Sequence, residues 1–419
     1  MPDPAPERPA SLLRQSSFLY YLLARVLGTL AVQMQSVAIG WQVYDLTGSL
    51  YDLGLIGLAQ FAPFLLLILI AGHVADRYDR RLIILLCMAT QLLCGALLFA
   101  LTINGLSAVW PVFAVLVLFG SARAFMMPAT QAILINLVPP ASFSRAVALS
   151  SSTFHVAVIA GPVLGGLLYL AGPRVVYAIV AGLLLVSVLL MCLTRTLIRQ
   201  SGGREPVSWH SLLEGLRFVR SRPVVLGAIS LDLFAVLFGG ATALLPALAR
   251  DVLHAGPGAL GLLRMAPGIG AALTSVVLGF WPITRRVGLW MFGGVALYGI
   301  GTVVLGKSAL LPLSLAALVL MGAGDMVSVY VRHLLVQLET PDAIRGRVSA
   351  VNSVFIGASN ELGEFESGVT AGWFGLVPAV LLGGVVTLGV TAAWMRLFPV
   401  LRRMDRFPQP DEPSGKREG

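Results

Sequence analysis

Long apolar runs separated by short polar segments repeat along the whole chain. No charged residue occurs from Leu53 to Ala71 or from Leu82 to Ala122, and runs of this length can cross a bilayer as helices. Spanning strands would instead give alternating segments of about ten residues. The pattern predicts an all-α polytopic membrane protein with twelve transmembrane helices, at 17–46, 51–74, 82–103, 108–136, 145–170, 174–194, 223–250, 259–282, 287–305, 310–337, 347–373 and 376–398.

The longest internal polar stretch, 195–222, divides these predicted helices into two halves of six. Apolar residues recur there at helical spacing, which predicts an amphipathic helix lying on the inner leaflet; they are Trp209, Leu212, Leu213, Leu216 and Val219. The predicted organisation is a disordered cytoplasmic tail at 1–16, helical halves at 17–194 and 223–398, the linker at 195–222, and a basic cytoplasmic tail at 399–419.

Composition agrees with the pattern, since 57% of residues are hydrophobic and only 12% are charged. The formal charge of +9 does not indicate nucleic-acid binding, because the basic residues cluster in alternate loops. By the positive-inside rule this bias predicts a multi-pass membrane protein with both termini in the cytoplasm. The clustered residues include Arg77, Arg80, Arg81, Arg145, Arg195, Arg199, Arg285, Arg286, Arg345 and Arg347.

A basic turn, GHVADRYDRR at 72–81, lies between the second and third predicted helices. It resembles the signature loop of the major facilitator superfamily, in which Gly, Asp, a basic residue and a basic pair stand at fixed spacing. The matching residues are Gly72, Asp76, Arg77, Arg80 and Arg81, and Asp79 departs from the pattern by replacing a small residue. The resemblance implies a cytoplasmic gating latch; purely topogenic charge is the alternative.

The same resemblance implies two six-helix halves that alternate access to a central cavity lined by the first, fourth, seventh and tenth helices. Internal repetition agrees with it, because the segment 138–151 parallels 340–353 and Asp45 parallels Asp251.

The fifth predicted helix carries a Gly-Pro element that resembles one found in the superfamily's exporters. Its residues are Gly161, Pro162, Gly165 and Gly166. Proline removes a backbone donor and small residues permit close approach, so this helix is expected to bend against a neighbour. The whole organisation resembles the subgroup that contains the enterobactin exporter and macrolide or multidrug efflux proteins.

Ionisable residues inside a bilayer are costly unless they are paired or face water, which makes them functional candidates. They are Arg25, Arg123, His155, Asp232, Asp325, Glu361, Glu364 and Glu366. Equivalent positions in the two halves suggest two cavity pairs, Arg25 with Asp232 and Arg123 with Asp325. The alternative is that each charge finds a partner within its own half. Arg264 is expected to snorkel from the outer end of its helix.

Glu361 and Glu364 are three residues apart on one helical face, so both cannot ionise cheaply at low dielectric. They are the preferred proton-coupling site, with Asp232 and Asp325 as further candidates. Alternatively these glutamates pair with an arginine such as Arg123, or they bind a cationic substrate. His155 is either a proton relay or a hydrogen-bonded packing residue.

These features predict a secondary active exporter, a monomer that exchanges a small-molecule substrate for protons. Soft apolar residues such as Phe125, Met126 and Phe234 favour an amphipathic organic solute of drug or siderophore type. A lysophospholipid flippase or a metal-ion exporter of the same fold is the alternative. No nucleophile–base pair, metal cluster or phosphate-binding loop is apparent in the sequence, so neither an enzyme nor a cofactor is expected.

Overall fold

The computed structural model describes residue 12 and residues 15–196, 209–341 and 344–408. The predicted tails 1–16 and 399–419 and the linker 195–222 lie wholly or partly outside these residues. Within the described ranges the regular structure is helical throughout.

The first six long helices follow the predicted spans closely. They are α1 Ser16–Thr47, α2 Leu50–Arg77, α3 Arg80–Ile103, α4 Trp110–Leu137, α5 Phe143–Tyr169 and α6 Pro173–Leu193. Gly48 and Gly172 adopt positive φ in the turns after α1 and α5, where a side chain would be strained.

The predicted linker helix is α7, and six further long segments follow it. The linker helix α7 is Trp209–Ser221, and the six segments are α8 Pro223–Phe238, α9 Pro257–Phe280, α10 Val287–Lys307, α11 Leu311–Glu339, α12 Arg345–Phe374 and α13 Leu376–Leu397. In α7, Val219 is buried, whereas Leu213 and Leu216 are exposed. The single apolar face expected for this helix is therefore divided between core and surface.

The seventh predicted span is not one continuous helix. After α8 ends at Phe238 the chain continues through a 3₁₀ segment Ala241–Leu244, one α-helical turn and a π-helical segment Leu248–Val252. Gly240 permits the interruption, because a Cβ there would lie 2.6 Å from the Gly363 carbonyl oxygen. Tyr298 donates to the Gly239 carbonyl at 2.9 Å, which satisfies a backbone acceptor that the break would otherwise leave open.

Eleven helical segments in the described part of the chain are long and apolar enough to cross a membrane. Helix α12 has 30 residues, and so it is long enough, but its composition is too polar to join them. The three glutamates Glu361, Glu364 and Glu366 account for much of that polarity. The all-α polytopic class is confirmed, with a twelfth helix whose polarity needs a separate explanation.

The chain forms two compact units, residues 1–42 with 62–206 and residues 43–61 with 207–419. The first unit has an apolar core that includes Tyr21, Ile84, Met88 and Ile133. A core of the second unit joins residues of α8, α10 and α11, including Leu231, Met291 and Leu335. The predicted domain bounds remain a prediction.

Glycines bring α5 against α1 in the first unit. A Cβ added to Gly161 would lie 2.5 Å from Gln33 Cβ, and one added to Gly165 would lie 2.8 Å from Met34 Cα. Pro162 and Gly166, between and beside them, are also buried. The Gly-Pro element is therefore a helix-packing surface, as small residues in membrane helices generally provide.

Replacing Gly165 with leucine is expected to destabilise the protein, because the contacting atoms of Met34 include backbone atoms that cannot move aside. Overpacking of this kind costs about 1–3 kcal/mol. The matched control is Gly182→Leu in α6, where a Cβ would meet nothing within 4 Å. Thermal unfolding of the purified variants in detergent measures the difference, and equal losses in both would contradict the packing argument.

Candidate functional site

An ion pair is buried between α8 and α11. Asp232 accepts from Arg332, and these residues are only 5% and 3% exposed. Charges taken out of water are tolerated only with a well-placed partner, and removal of one partner leaves the other uncompensated. This pair therefore fixes α8 against α11 within the second unit.

A second carboxyl belongs to the same cluster. Asp325 precedes Arg332 by seven residues, two turns of α11, so both project from one face of that helix. Asp325 is half-buried and lies within electrostatic range of Asp232 and Arg332. Tyr298 of α10 lies near both carboxyls. The cluster thus contains two acids and one guanidinium, and it is electrically neutral when it binds one proton.

The predicted pairing of Asp232 with Arg25 is wrong in this structure, where Arg332 is its partner. Arg25 donates instead to Ser150 Oγ, and its guanidinium carbon lies 5.0 Å from the centre of the Phe154 ring. Asp232 and Arg25 each contact a residue of their own half, as the alternative predicted. The sequence analysis did not single out Arg332, because this residue lies near the inner end of its span. Its spacing of seven residues from Asp325 nevertheless indicates that the two share one helical face. The pairing of Arg123 with Asp325 remains a prediction.

Helix α12 carries the acids predicted to couple protons. Glu364 faces Gly57 of α2, where a Cβ would lie 2.9 Å from Glu364 Cβ, and it is within electrostatic range of Arg264 of α9. Arg264 is half-buried, and the expected snorkelling of this side chain remains a prediction. Glu366 accepts from Thr370 Oγ1 at 2.7 Å. The coupling role of Glu361 and Glu364 remains a prediction.

Close packing explains how polar α12 is accommodated. A Cβ on Gly368 would lie 2.5 Å from Gly54 Cα, and one on Gly372 would lie 2.2 Å from the Tyr51 ring. These contacts join the first part of α2 to α12 inside the second unit. Side chains of α12 that face α2 are therefore covered by protein.

A second charged cluster joins the end of α1 to the π-helical segment after α8. Asp45 pairs with Arg250 at 2.9 Å, Tyr44 donates to Asp251, and the Arg250 guanidinium carbon is 5.9 Å from the Tyr44 ring centre. Asp45 and Asp251 were expected only as equivalent positions of a repeat. In the structure both belong to one group of contacts, formed by the Asp45–Arg250 ion pair and the Tyr44–Asp251 hydrogen bond, which we call the Tyr44–Asp251 latch.

The signature turn ties α3 to its neighbours. Asp79, the departure from the family pattern, caps α3 by accepting from Arg81 N at 2.9 Å. Arg80 donates to the Ala132 carbonyl and to Asn136 Oδ1, both at 3.1 Å, and Arg81 donates to the Cys192 carbonyl at 2.6 Å. The Asp76 side chain lies outside the described residues. The gating role of Gly72, Asp76, Arg77, Arg80 and Arg81 remains a prediction.

His155 lies on an exposed part of α5, with Nδ1 2.8 Å from the carbonyl oxygen of Ser151. Its role as a relay remains a prediction.

Phe125 and Met126 pack against the core of the first unit, and Phe234 packs against Trp394 with ring centres 5.2 Å apart. In the described part of the chain no three His, Cys, Asp or Glu residues gather in a group that could hold a metal ion.

A family model described as transmembrane secretion effector, of the major facilitator superfamily, matches residues 8–413. The chain belongs to this family. This secretion effector is therefore a multi-pass membrane transporter and not an enzyme. The predicted superfamily is confirmed.

Relatives of this secretion effector match along most of their length. The enterobactin exporter EntS of Citrobacter koseri is 26% identical over 407 residues, covering 96% of this chain and 95% of the relative. EntS of Shigella boydii is 27% identical over 410 residues, covering 95% of both. The MFS-type transporter YfiS of Bacillus subtilis is 28% identical over 358 residues, covering 82% of this chain and 84% of the relative.

Solved transporters share the fold. An inward-facing, occupied bacterial homologue of the lysosomal transporter Spinster has a TM-score of 0.73 at 17% identity, covering 95% of this chain and 99% of that one. The nucleoside transporter NupG, as a mutant, has a TM-score of 0.72 at 12% identity, covering 93% and 100%. Identities this low establish fold similarity alone.

Replacing Arg332 with glutamine is expected to destabilise the protein by about 3–5 kcal/mol, because Asp232 would be left buried without its cation. The double variant Asp232→Asn, Arg332→Gln is expected to recover part of this loss. Thermal unfolding of both variants in detergent measures the coupling.

The control is Arg285→Gln, an exposed arginine whose loss should change stability by less than about 0.5 kcal/mol. Equal destabilisation by Arg332→Gln and Arg285→Gln would show that the buried pair contributes nothing to the fold.

Proposed function

We propose that this secretion effector exports a small amphipathic organic solute of drug or siderophore type by alternating access, in exchange for protons. It works in the bacterial inner membrane as a monomer, with both termini in the cytoplasm. The basic residues of its alternate loops support that orientation.

The observation that carries the proposal is the similarity to enterobactin exporters over 95% or more of the chain. A match of this extent covers nearly the whole chain, so it is not confined to a shared loop. The family description, transmembrane secretion effector, agrees with the outward direction of transport.

Proton coupling is supported by the charge balance between α8 and α11. Asp232 and Asp325 share the cation of Arg332. One proton leaves this group neutral, and loss of that proton leaves a net negative charge in a low-dielectric site, which must then be balanced. A cationic part of the solute, or water admitted by a conformational change, can supply the balance. Proton loss and solute entry are thereby coupled.

The acids of α12 are weaker candidates for the proton carrier. Glu364 lies within range of Arg264, so it has a cation available that Asp325 must share. An acid with its own arginine is best stabilised in the charged form. We therefore assign the proton to the Asp232–Asp325–Arg332 cluster and assign Glu361 and Glu364 to structural or substrate-facing roles.

Alternating access requires contacts that form in one state and separate in another. The Tyr44–Asp251 latch has this character, since its ionic groups are exposed: the side chains of Arg250 and Asp45 are 42% and 58% exposed. Exposed ion pairs are worth about 0–1 kcal/mol, so the latch can open at small cost. We place it at the outer ends of the first and seventh spans.

The Asp325→Asn variant is expected to abolish ligand-linked proton release. Purified protein in weakly buffered detergent is mixed with enterobactin and with a panel of amphipathic drugs, and a pH indicator reports released protons. Wild type and the Glu361→Gln, Glu364→Gln double variant should release protons, because both retain the cluster. Intrinsic tryptophan fluorescence shows independently that each variant still binds ligand.

Release that persists in Asp325→Asn, or disappears only in the glutamate variant, would move the proton site to α12. Binding without release from wild type would refute proton exchange. In proteoliposomes, movement of lysophospholipid or of a metal ion in place of these solutes would refute the proposed substrate class.

Removing the ion pair of the latch with Arg250→Gln is expected to increase the population in which the ends of α1 and of the π-helical segment are apart. Loss of about 0.2–1 kcal/mol changes that ratio by up to about fivefold. Spin labels on cysteines introduced at Leu46 and Gly256, after replacement of Cys87, Cys94 and Cys192, report the distance distribution.

The matched control is Arg174→Gln, which removes an exposed arginine from the start of α6. An unchanged distribution in Arg250→Gln, or an equal change in the control, would show that the latch does not influence access.

A further inference from the structure

One face of α7 is exposed and is both apolar and basic. Leu213, Leu216, Arg217 and Arg220 follow the spacing i, i+3, i+4, i+7, so they line one side of the helix. All four are exposed, and Leu213 and Leu216 are 52% and 41% accessible. Two leucines and two arginines therefore share one open surface, which we call the α7 face.

The opposite side of α7 is anchored to α12. A Cβ on Gly215 would lie 2.9 Å from the Arg347 carbonyl oxygen, and Glu214 forms an ion pair with the Arg347 guanidinium. Val219 is buried in a cluster with Val225 of α8 and Val348 of α12. The helix is thus held in a fixed orientation, and its outward face is set by packing.

Within the described part of the chain, the charge of the α7 face has no acidic partner. Glu214 is the one acid in the sequence of α7, and it is already paired with Arg347. Among the residues that the structure describes, no carboxylate pairs with Arg217 or Arg220. Two positive charges are therefore available to an anionic partner.

The position of α7 indicates what that partner is. A single residue, Arg222, separates the end of α7 at Ser221 from α8 at Pro223, where an apolar membrane span begins. The helix consequently lies at the level where spans enter the bilayer. There, exposed leucines meet the acyl boundary and arginines meet headgroup phosphates, which is the arrangement of interfacial amphipathic helices.

We propose that the α7 face binds anionic phospholipid, with Arg217 and Arg220 contacting the headgroup phosphate and Leu213 and Leu216 contacting the acyl chains. Lipid bound here is linked through Glu214 and Arg347 to the start of α12, the helix that carries Glu361 and Glu364. The site does not depend on the identity of the transported solute.

The test uses the full-length protein in detergent, titrated with phosphatidylglycerol or phosphatidylcholine, and counts retained lipids by native mass spectrometry. Wild type is expected to bind phosphatidylglycerol in preference to phosphatidylcholine. Each arginine near an anionic surface contributes about fivefold in affinity. The Arg217→Gln, Arg220→Gln variant should therefore bind phosphatidylglycerol about 25-fold more weakly at this site.

Two further variants distinguish lipid from other anions. Leu213→Ser, Leu216→Ser should also weaken phosphatidylglycerol binding, whereas a site for free phosphate would not require these leucines and would be competed by inorganic phosphate. The control Arg174→Gln, Lys307→Gln removes two exposed basic residues elsewhere and should retain wild-type affinity. Unchanged binding in the arginine variant, equal weakening in the control, or equal affinity for both lipids would overturn the proposal.

Discussion

The cost of placing charge in a low-dielectric membrane interior determines how this transporter is built. An isolated ionised side chain is unfavourable there by several kcal/mol, so each charge must have a partner or a route to water. The Asp232–Arg332 pair meets this condition by pairing, and it joins α8 to α11. Asp325 does not meet this condition when it is ionised, because Arg332 is the single cation of a cluster that contains two acids. The structural requirement and the proposed means of proton coupling therefore rest on the same three side chains.

Close helix packing provides the geometry that these charges need. In the first unit, Gly161 and Gly165 bring α5 onto α1, and in the second, Gly54 and Gly57 bring α2 onto α12. Hydrophobic driving force between helices is weak in lipid, so dispersion contacts made by close approach stabilise the assembly. The glycines beside Glu364 serve both purposes, since they permit close approach and cover a polar side chain with protein.

The periodicity of apolar residues predicted the fold well, because bilayer thickness fixes the length of a spanning helix. Helix α1 was expected at 17–46 and occupies Ser16–Thr47. Partner choice was predicted poorly. Asp232 was assigned to Arg25, since equivalence between repeats does not reveal which helix faces which charge. The Asp325–Arg332 spacing was available in the sequence, whereas the break at Gly239 and Gly240 was not, because it depends on the carbonyl of Gly363 on a helix distant in sequence.

The break at Gly239 and Gly240 divides the seventh span into an inner piece and an outer piece. The inner piece, α8, is fixed by a buried ion pair, whereas the outer piece carries Arg250 and Asp251 on a π-helical turn whose hydrogen bonds differ from those of α8. Gly239 and Gly240 join the two pieces, and they contact Tyr298 and the carbonyl of Gly363. Because the two pieces are held by different contacts, a change at the outer piece need not disturb the buried ion pair of the inner piece.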